Sequence, residues 1–530
     1  MGGRSERRTG ASDRGTWRGN LRDPAPRSSR APRGGFRGPA LALLLAAIAT
    51  APAAPAAAQS LTKRLDRRPD AAPLDRTLWG VTLLDAKGKR LYGRNEGRLF
   101  TPASNTKLVV AAVAAAMLPP DFRVRTSVYA SAPVVNGVLT GDLVLYGRGD
   151  PTLGRRCYAT DTLAEGACDR DPFTRLRALA DTLRQRGLRE VRGDLVGDGS
   201  WFEPATVHPQ WEIFDLNWWY AAPVSGLGFN DNSVDFTWQP GPAVGAPGRI
   251  TMWPELGEVL FENRTVTVPA GTESDVGDRF FRAPGTARVW AEGSVALDHP
   301  PRTESFAVTE PNLYTARALR AALLEAGISI GGTTRSTTDS LLYRQARATP
   351  PLAEVTSRPL SDWIFPILNT SQNFFAEMLL KQLGRQFGRA GSWQEGIAVE
   401  RRFLIDSVRI DSTEFSLQDG SGLSSANLVT PNAFARLLRF IRGHRGWQTF
   451  AAGLPQAGGV GSLRTRFVNT PLAGRVRAKT GSIAGVNTLS GYIERKDGSV
   501  LTFSVQANHH ALPSRQILAA IDSVVAEMGK

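Results

Sequence analysis

The stretch PASNTKLVVAAVAAAML, residues 102–118, decides how the chain is read. After the quartet Ser104-Asn105-Thr106-Lys107 every residue to Leu118 is apolar, which predicts a helix buried on all sides and stopped by Pro119-Pro120. Two readings of its start stand open. Ser is a favoured N-cap, so Ser104 could simply close the first turn. Lys107 fits that reading badly: a capping box wants Glu or Gln at the third position, and a cation in the first turn faces the positive end of the helix dipole. The same discomfort is useful if the amine is to be neutral, because burial and positive surroundings lower a lysine pKa and leave a base able to take a serine proton. At i and i+3 the two residues start about 5–6 Å apart at Cβ, close enough to meet.

Composition sharpens the second reading. Only 8 of the 64 basic residues are lysine. Arginine cannot be deprotonated in a protein, so a site needing a neutral amine must use Lys even in an Arg-biased chain. Lys107 is one such residue. Lys479 is another, in AKTGSIAGVNTLSGYI (residues 478–493), where Lys479-Thr480-Gly481 introduces a strand pattern. That string is either an ordinary turn or a cation and hydroxyl on a strand edge, with Gly481 letting a substrate carboxylate approach the backbone. A third string, Ser371-Gln372-Asn373, opens a helical pattern in NTSQNFFAEMLL, and a helix start projects short polar side chains into a cleft. Two decoys exist. Ser60 to Lys63 is followed by no apolar helix, and Ser425-Ala426-Asn427 lies in a Gly/Ser loop.

Taken in order, SNTK, SQN and KTG resemble the three motifs of the serine penicillin-recognising enzymes. LYGRGDPTL (145–153), VRGDLVGDGSWF (191–202), LNTSQNFFAEMLLKQLG (368–384) and DGSGLSSANLVTP (419–431) narrow the likeness. They resemble the D-alanyl-D-alanine carboxypeptidase/endopeptidase family of low-molecular-mass class C penicillin-binding proteins, over essentially all of the chain after its leader. The resemblance implies an α+β fold: a penicillin-binding/β-lactamase-like transpeptidase domain, an antiparallel sheet flanked by helices, with inserted mainly-β domains in the 263 residues between Lys107 and Ser371. It implies a catalytic domain of residues 59–124 plus 310–530, and one or two inserted domains over 125–309. It also implies roles. Ser104 attacks the D-Ala–D-Ala carbonyl with Lys107 as base, and Ser371 passes a proton to the leaving amine. Asn373 holds the substrate amide, while Lys479 binds the terminal carboxylate with Thr480 and Ser482. The N–H groups of Ser104 and Ser482 form the oxyanion hole. Carboxypeptidase and DD-endopeptidase action would share this machinery, and β-lactams would be trapped on Ser104. No cofactor or metal is implied.

Residues 1–58 read as a secretory leader. Ten arginines against Glu6, Asp13 and Asp23 form its basic arm, and PALALLLAAIAT (39–50) is its apolar run. An Ala-x-Ala end puts the cut at Ala58–Gln59 and the working compartment in the periplasm or otherwise outside the cytoplasm. The run is short of the roughly 20 residues a spanning helix needs. The arm carries +7 of the chain's +15, leaving about +8 with no Lys/Arg cluster. Such a surface suits anionic wall polymers or lipid headgroups, a peripheral contact at most, rather than nucleic acid. The only cysteines, Cys157 and Cys168, read as one disulfide clipping a loop.

Rival hydrolases fare worse. There is no His-Glu-x-x-His and no Gly-x-Ser-x-Gly. A class A β-lactamase needs a Glu for deacylation, and the nearest string, Glu212 to Asn217, precedes Ser371 instead of following it. A retired, non-catalytic wall-binding scaffold would have lost Ser104, Lys107 or Lys479, and all three are present. The aromatic stretch Trp201–Tyr220 is either inserted-domain core or a wall of the peptide groove, with Asp198 a candidate for a free amine on the substrate.

Overall fold

A computed structural model describes residues 56–154, 156, 171–283 and 286–530. Of the expected leader (residues 1–58), all up to residue 55 lies outside the described residues, as does the expected Cys157–Cys168 disulfide. The described chain begins with helix α1 (Ala56–Asp66), which spans the expected cut at Ala58–Gln59. Its Leu65 is buried among apolar side chains of the sheet, and Asp66 accepts hydrogen bonds from Tyr92 and Arg94.

Both chain ends build one sheet. Strands β1 (Leu78–Leu84) and β2 (Arg90–Arg94) form an antiparallel hairpin that turns through Lys87-Gly88. From the other end come β3 (Val476–Ile483), β4 (Val486–Glu494) and β5 (Val500–Asn508). The order β2–β1–β5–β4–β3 is antiparallel throughout. Strand alternation then divides the faces. One face presents Val81, Leu83, Phe503, Val505 and Ala478 to α1 and to the C-terminal helix Ser514–Met528. The other carries a polar row in register, Thr82, Ser504, Ser490 and Lys479. Ser490 Oγ donates to Ser504 Oγ at 2.8 Å and accepts from Asn105 Nδ2 at 2.7 Å, so the two serine hydroxyls of the row are partnered, whereas Thr82 Oγ1 is not.

Against the polar face lies a helical layer. Helix α2 (Lys107–Met117) is buried along almost its whole length and gives way at Leu118 to extended backbone before Pro119. Around it pack α3 (Leu360–Leu368), α4 (Asn373–Phe387), α5 (Trp393–Asp406) and α6 (Pro431–Arg442). The sheet with helices on both faces is α+β, as expected.

The intervening chain builds its own sheets. Strands Arg125–Ala130, Leu143–Gly147 and Leu195–Asp198 are joined by Thr334–Thr337 and Ala353–Thr356 in one five-stranded sheet. Strands drawn from residues 233–307 form two three-stranded sheets. Two strands of the five-stranded sheet, Thr334–Thr337 and Ala353–Thr356, come from beyond residue 309, the expected end of this region. The polar strand TRST (334–337) shows only intermediate burial, so it gave no apolar signal, and only its register against Leu195–Asp198 assigns it.

Candidate active site

Ser104 sits in the short 3-10 turn Ala103–Thr106, and Lys107 is the first residue of α2. The hydroxyl meets the lysine amine, with Lys107 Nζ 2.9 Å from Ser104 Oγ, so the capping reading fails. Lys107 is fully buried and makes two further contacts, to Asn373 Oδ1 at 2.6 Å and the Ser421 carbonyl at 2.7 Å. Both of those oxygens only accept. A neutral amine has two N–H groups and one lone pair, so donating to both carbonyls leaves the lone pair facing Ser104, whose O–H can donate to it. Burial pushes Lys107 down to about 7, against the opposing pull of Asp419 and Glu377. The uncharged form is therefore available near neutrality.

Lys479, also fully buried, reaches across from β3. Its Nζ donates to Ser371 Oγ at 2.8 Å and to the Thr480 carbonyl at 2.8 Å. Burial, and then the nearby Lys107, hold it well below the ordinary lysine range. Ser371 is not in the helix it was expected to open. It lies two residues before α4 with φ +64°, a left-handed conformation that non-glycine residues rarely adopt. Gln372 caps α4 instead, and its Nε2 donates to Asp231 Oδ2 at 2.9 Å. Thus Ser104, Lys107 and Asn373 form one hydrogen-bonded set and Ser371 with Lys479 a second, near enough that Lys107 acts electrostatically on Lys479. Ser104 and Ser371 keep partial exposure, while the two lysines and Asn373 stay beneath them.

Three expectations change. Asn373 has its carbonyl on Lys107 and its amide donating to the Tyr220 carbonyl at 2.7 Å, so both ends of the side-chain amide are already engaged within the protein. The room Gly481 leaves is taken by protein: a Cβ there would lie 2.7 Å from the Pro102 carbonyl and 2.2 Å from Thr488 Oγ1. The glycine lets the nucleophile's turn dock on β3. Asp198 joins none of these contacts. It is fully buried and paired with Arg347, whose guanidinium also lies over the Tyr146 ring, so the charge offered to a substrate amine is already neutralised. Thr480 and Ser482 remain at the surface of β3. Their hydroxyls meet Ser462 Oγ at 3.1 Å and Asn487 Nδ2 at 3.0 Å.

Comparison with known proteins bears on the family and the fold. The model of the D-Ala-D-Ala carboxypeptidase 3 (S13) family matches residues 59–528. The chain belongs to that family. A D-alanyl-D-alanine carboxypeptidase of Actinomadura sp. (strain R39) is 33% identical over 505 residues, 92% of this chain and 88% of that protein. D-alanyl-D-alanine carboxypeptidase DacB of Haemophilus influenzae is 27% identical over 77% of this chain and 80% of its own length. The crystal structure of penicillin-binding protein 4 from Haemophilus influenzae superposes with a TM-score of 0.72 at 22% identity, over 87% of this chain and 98% of that one. The S13 chain is thus a D-Ala-D-Ala carboxypeptidase by family, a hydrolase by class, on a penicillin-binding-protein fold.

Sequence reasoning missed the Ser421 carbonyl, because a backbone acceptor leaves no residue-type signature. Its trace was present nonetheless, as two glycines in Asp419-Gly-Ser-Gly422 and a lone acid, Glu377, inside the apolar run NFFAEMLL. Tyr220 answers the question of the aromatic stretch in part. Trp211 is buried core, while the Tyr220 backbone reaches the site.

Proposed function

We propose that this chain hydrolyses the D-Ala–D-Ala bond of peptidoglycan stem peptides through an acyl-enzyme on Ser104. The observation that carries this is the 2.9 Å contact between Ser104 Oγ and a buried lysine whose other two partners can only accept. Ser104 Oγ attacks the carbonyl carbon of the penultimate D-Ala as its proton passes to Lys107 Nζ. The N–H groups of Ser104 and Ser482 take the developing oxyanion. The C–N bond then breaks, and the leaving amine receives a proton through Ser371. Lys479, with Thr480 and Ser482, holds the terminal carboxylate, which supplies the counter-charge this amine otherwise lacks. Water finally cleaves the ester and restores the serine. A β-lactam enters the same route and stays attached; one structural relative was crystallised in complex with a β-lactam.

Domain division and location belong to the same proposal. The catalytic unit is the terminal sheet with its helical layer, interrupted by an inserted region from about residue 125 to Thr356, and the enzyme works outside the cytoplasm after export. No helix among the described residues is long and apolar enough to cross a membrane. The test is uptake of a fluorescent penicillin by the purified protein and by Ser104→Ala, followed by digestion of cross-linked muropeptides. Labelling of the wild type alone is expected, with D-Ala released; monomers formed from dimers would add endopeptidase action. A folded wild type that takes no label would overturn the proposal.

A further inference from the structure

Behind the base lies a group of buried acids to which the chemistry above gives no task. Glu377, Glu400 and Asp419 are all fully buried. Glu377 stands one helical turn beyond Asn373 on α4. Its Oε1 accepts from the Ser421 N–H at 2.7 Å, and its Oε2 from the Gly420 N–H at 3.1 Å and Trp393 Nε1 at 2.8 Å. Asp419 Oδ1 accepts from the Gly422 N–H at 2.7 Å and Asn427 Nδ2 at 2.8 Å. Its Oδ2 takes the Ser424 N–H at 2.7 Å and Trp211 Nε1 at 3.0 Å. Two carboxylates therefore hold the N–H groups of residues 420, 421, 422 and 424, and the turn so fixed aims the Ser421 carbonyl at Lys107 Nζ. The same turn presses on the nucleophile: a Cβ on Gly422 would lie 1.9 Å from the Ala103 carbonyl.

A turn can be held without buried charge, which is costly to desolvate. The charge has a use here. When Ser104 gives its proton to Lys107, an ammonium appears in a pocket whose other cation is Lys479. We propose that Glu377 and Asp419 are positioning residues for the base, holding the Ser421 carbonyl on the Lys107 amine and offsetting the positive charge that amine gains as Ser104 attacks. This rests on the acyl-transfer reading above. The charged groups around Lys107 are Lys479 across the cleft and these two acids behind it. Farther back are Lys381, which pairs with Glu203 at 3.2 Å and lies over the Trp393 ring, His208 beside Trp393, and Glu400. Burial, then Asp419, push Glu377 up to about 7, while its three N–H donors favour the ion. Glu400 differs: burial and the two neighbouring acids raise it well above the carboxylate range, and neither of its oxygens has a hydrogen-bond partner. It holds none of the turn's N–H groups.

The experiment is the pH dependence of acylation by a fluorescent penicillin, measured on the full protein as wild type, Glu377→Gln, Asp419→Asn and Glu400→Gln. Removing a negative charge makes the amine easier to deprotonate. The acid limb should therefore move to lower pH by about one unit in Glu377→Gln and in Asp419→Asn, with the plateau rate reduced about tenfold or more. Glu400→Gln should leave the limb in place. Should Glu377→Gln not fold, Asp419→Asn carries the same comparison. Variants that label to full stoichiometry with an unmoved limb would overturn the proposal, as would a Glu400→Gln shift of equal size. A wild type that takes no label would instead strike at Ser104 acylation itself, so the two failures are told apart.

Discussion

Ser371 and Lys479 meet through one 2.8 Å hydrogen bond, between a left-handed residue at the head of α4 and the middle of β3. Holding a non-glycine residue at φ +64° costs about 1–2 kcal/mol, which is tolerable where the hydroxyl is needed. Ser371→Ala keeps the strain and loses the hydroxyl; Ser371→Gly loses both. Acylation by the peptide, and with it turnover, should fall by roughly 10²–10⁴-fold in either variant. In denaturant melts, however, Ser371→Gly should be the more stable of the two by about 1 kcal/mol. Equal stabilities would show that the backbone conformation is not strained.

The pH profile should have two limbs of different origin. Lys107 must be neutral to take the serine proton, and burial lowers it to about 7, so kcat/KM should fall as the pH drops below that value. Lys479 must be protonated to bind a carboxylate. Burial and Lys107 depress it well below its ordinary 10.5, so substrate binding should weaken as the pH rises, and this limb should appear in KM with kcat held. Steady-state kinetics on a D-Ala–D-Ala peptide check both; a profile flat through neutrality would contradict the assignment of Lys107.

Much of this was legible in the sequence, for reasons that differ by residue. The α2 segment announced itself because a helix apolar on every side has one place to go, and the hairpins at Lys87-Gly88 and Asp497-Gly498 were marked by their turns. Lys107 and Lys479 stood out as rare lysines in an arginine-rich chain. What the sequence hid is carried by backbone and by tertiary space. The Ser421 carbonyl has no letter of its own, and Gly481 looked ready for a substrate when it was making way for Pro102. Asp198 looked available because its partner Arg347 is 149 residues away.

The penicilloyl form should be long-lived. Glu212, the residue that most resembled a β-lactamase base, is exposed on the aromatic stretch, and no carboxylate among the described residues touches Ser104 or Lys107. Label placed on Ser104 should survive gel filtration and decline slowly in a chase with unlabelled penicillin. Loss of label within the time of mixing would mean an efficient deacylating base that this geometry lacks.

Gly422 and Gly498 offer a matched pair. Their φ values are +79° and +78°, so alanine pays about the same 1–2 kcal/mol of backbone strain at either position. Their surroundings differ completely. At Gly498 a Cβ meets open space, whereas at Gly422 it falls 1.9 Å from the Ala103 carbonyl and 2.7 Å from Thr106 Oγ1. No rotamer relieves a clash between a Cβ and a backbone oxygen, so the turn must retreat and take the Ser421 carbonyl with it. Gly498→Ala should lose only the strain energy in thermal melts and label with penicillin at the wild-type rate. Gly422→Ala should melt lower still, and the fraction that remains folded should be acylated at least about 10²-fold more slowly, because misplacing a catalytic group by an ångström costs that much. Equal acylation rates in the two folded variants would show that the nucleophile's turn does not depend on this contact.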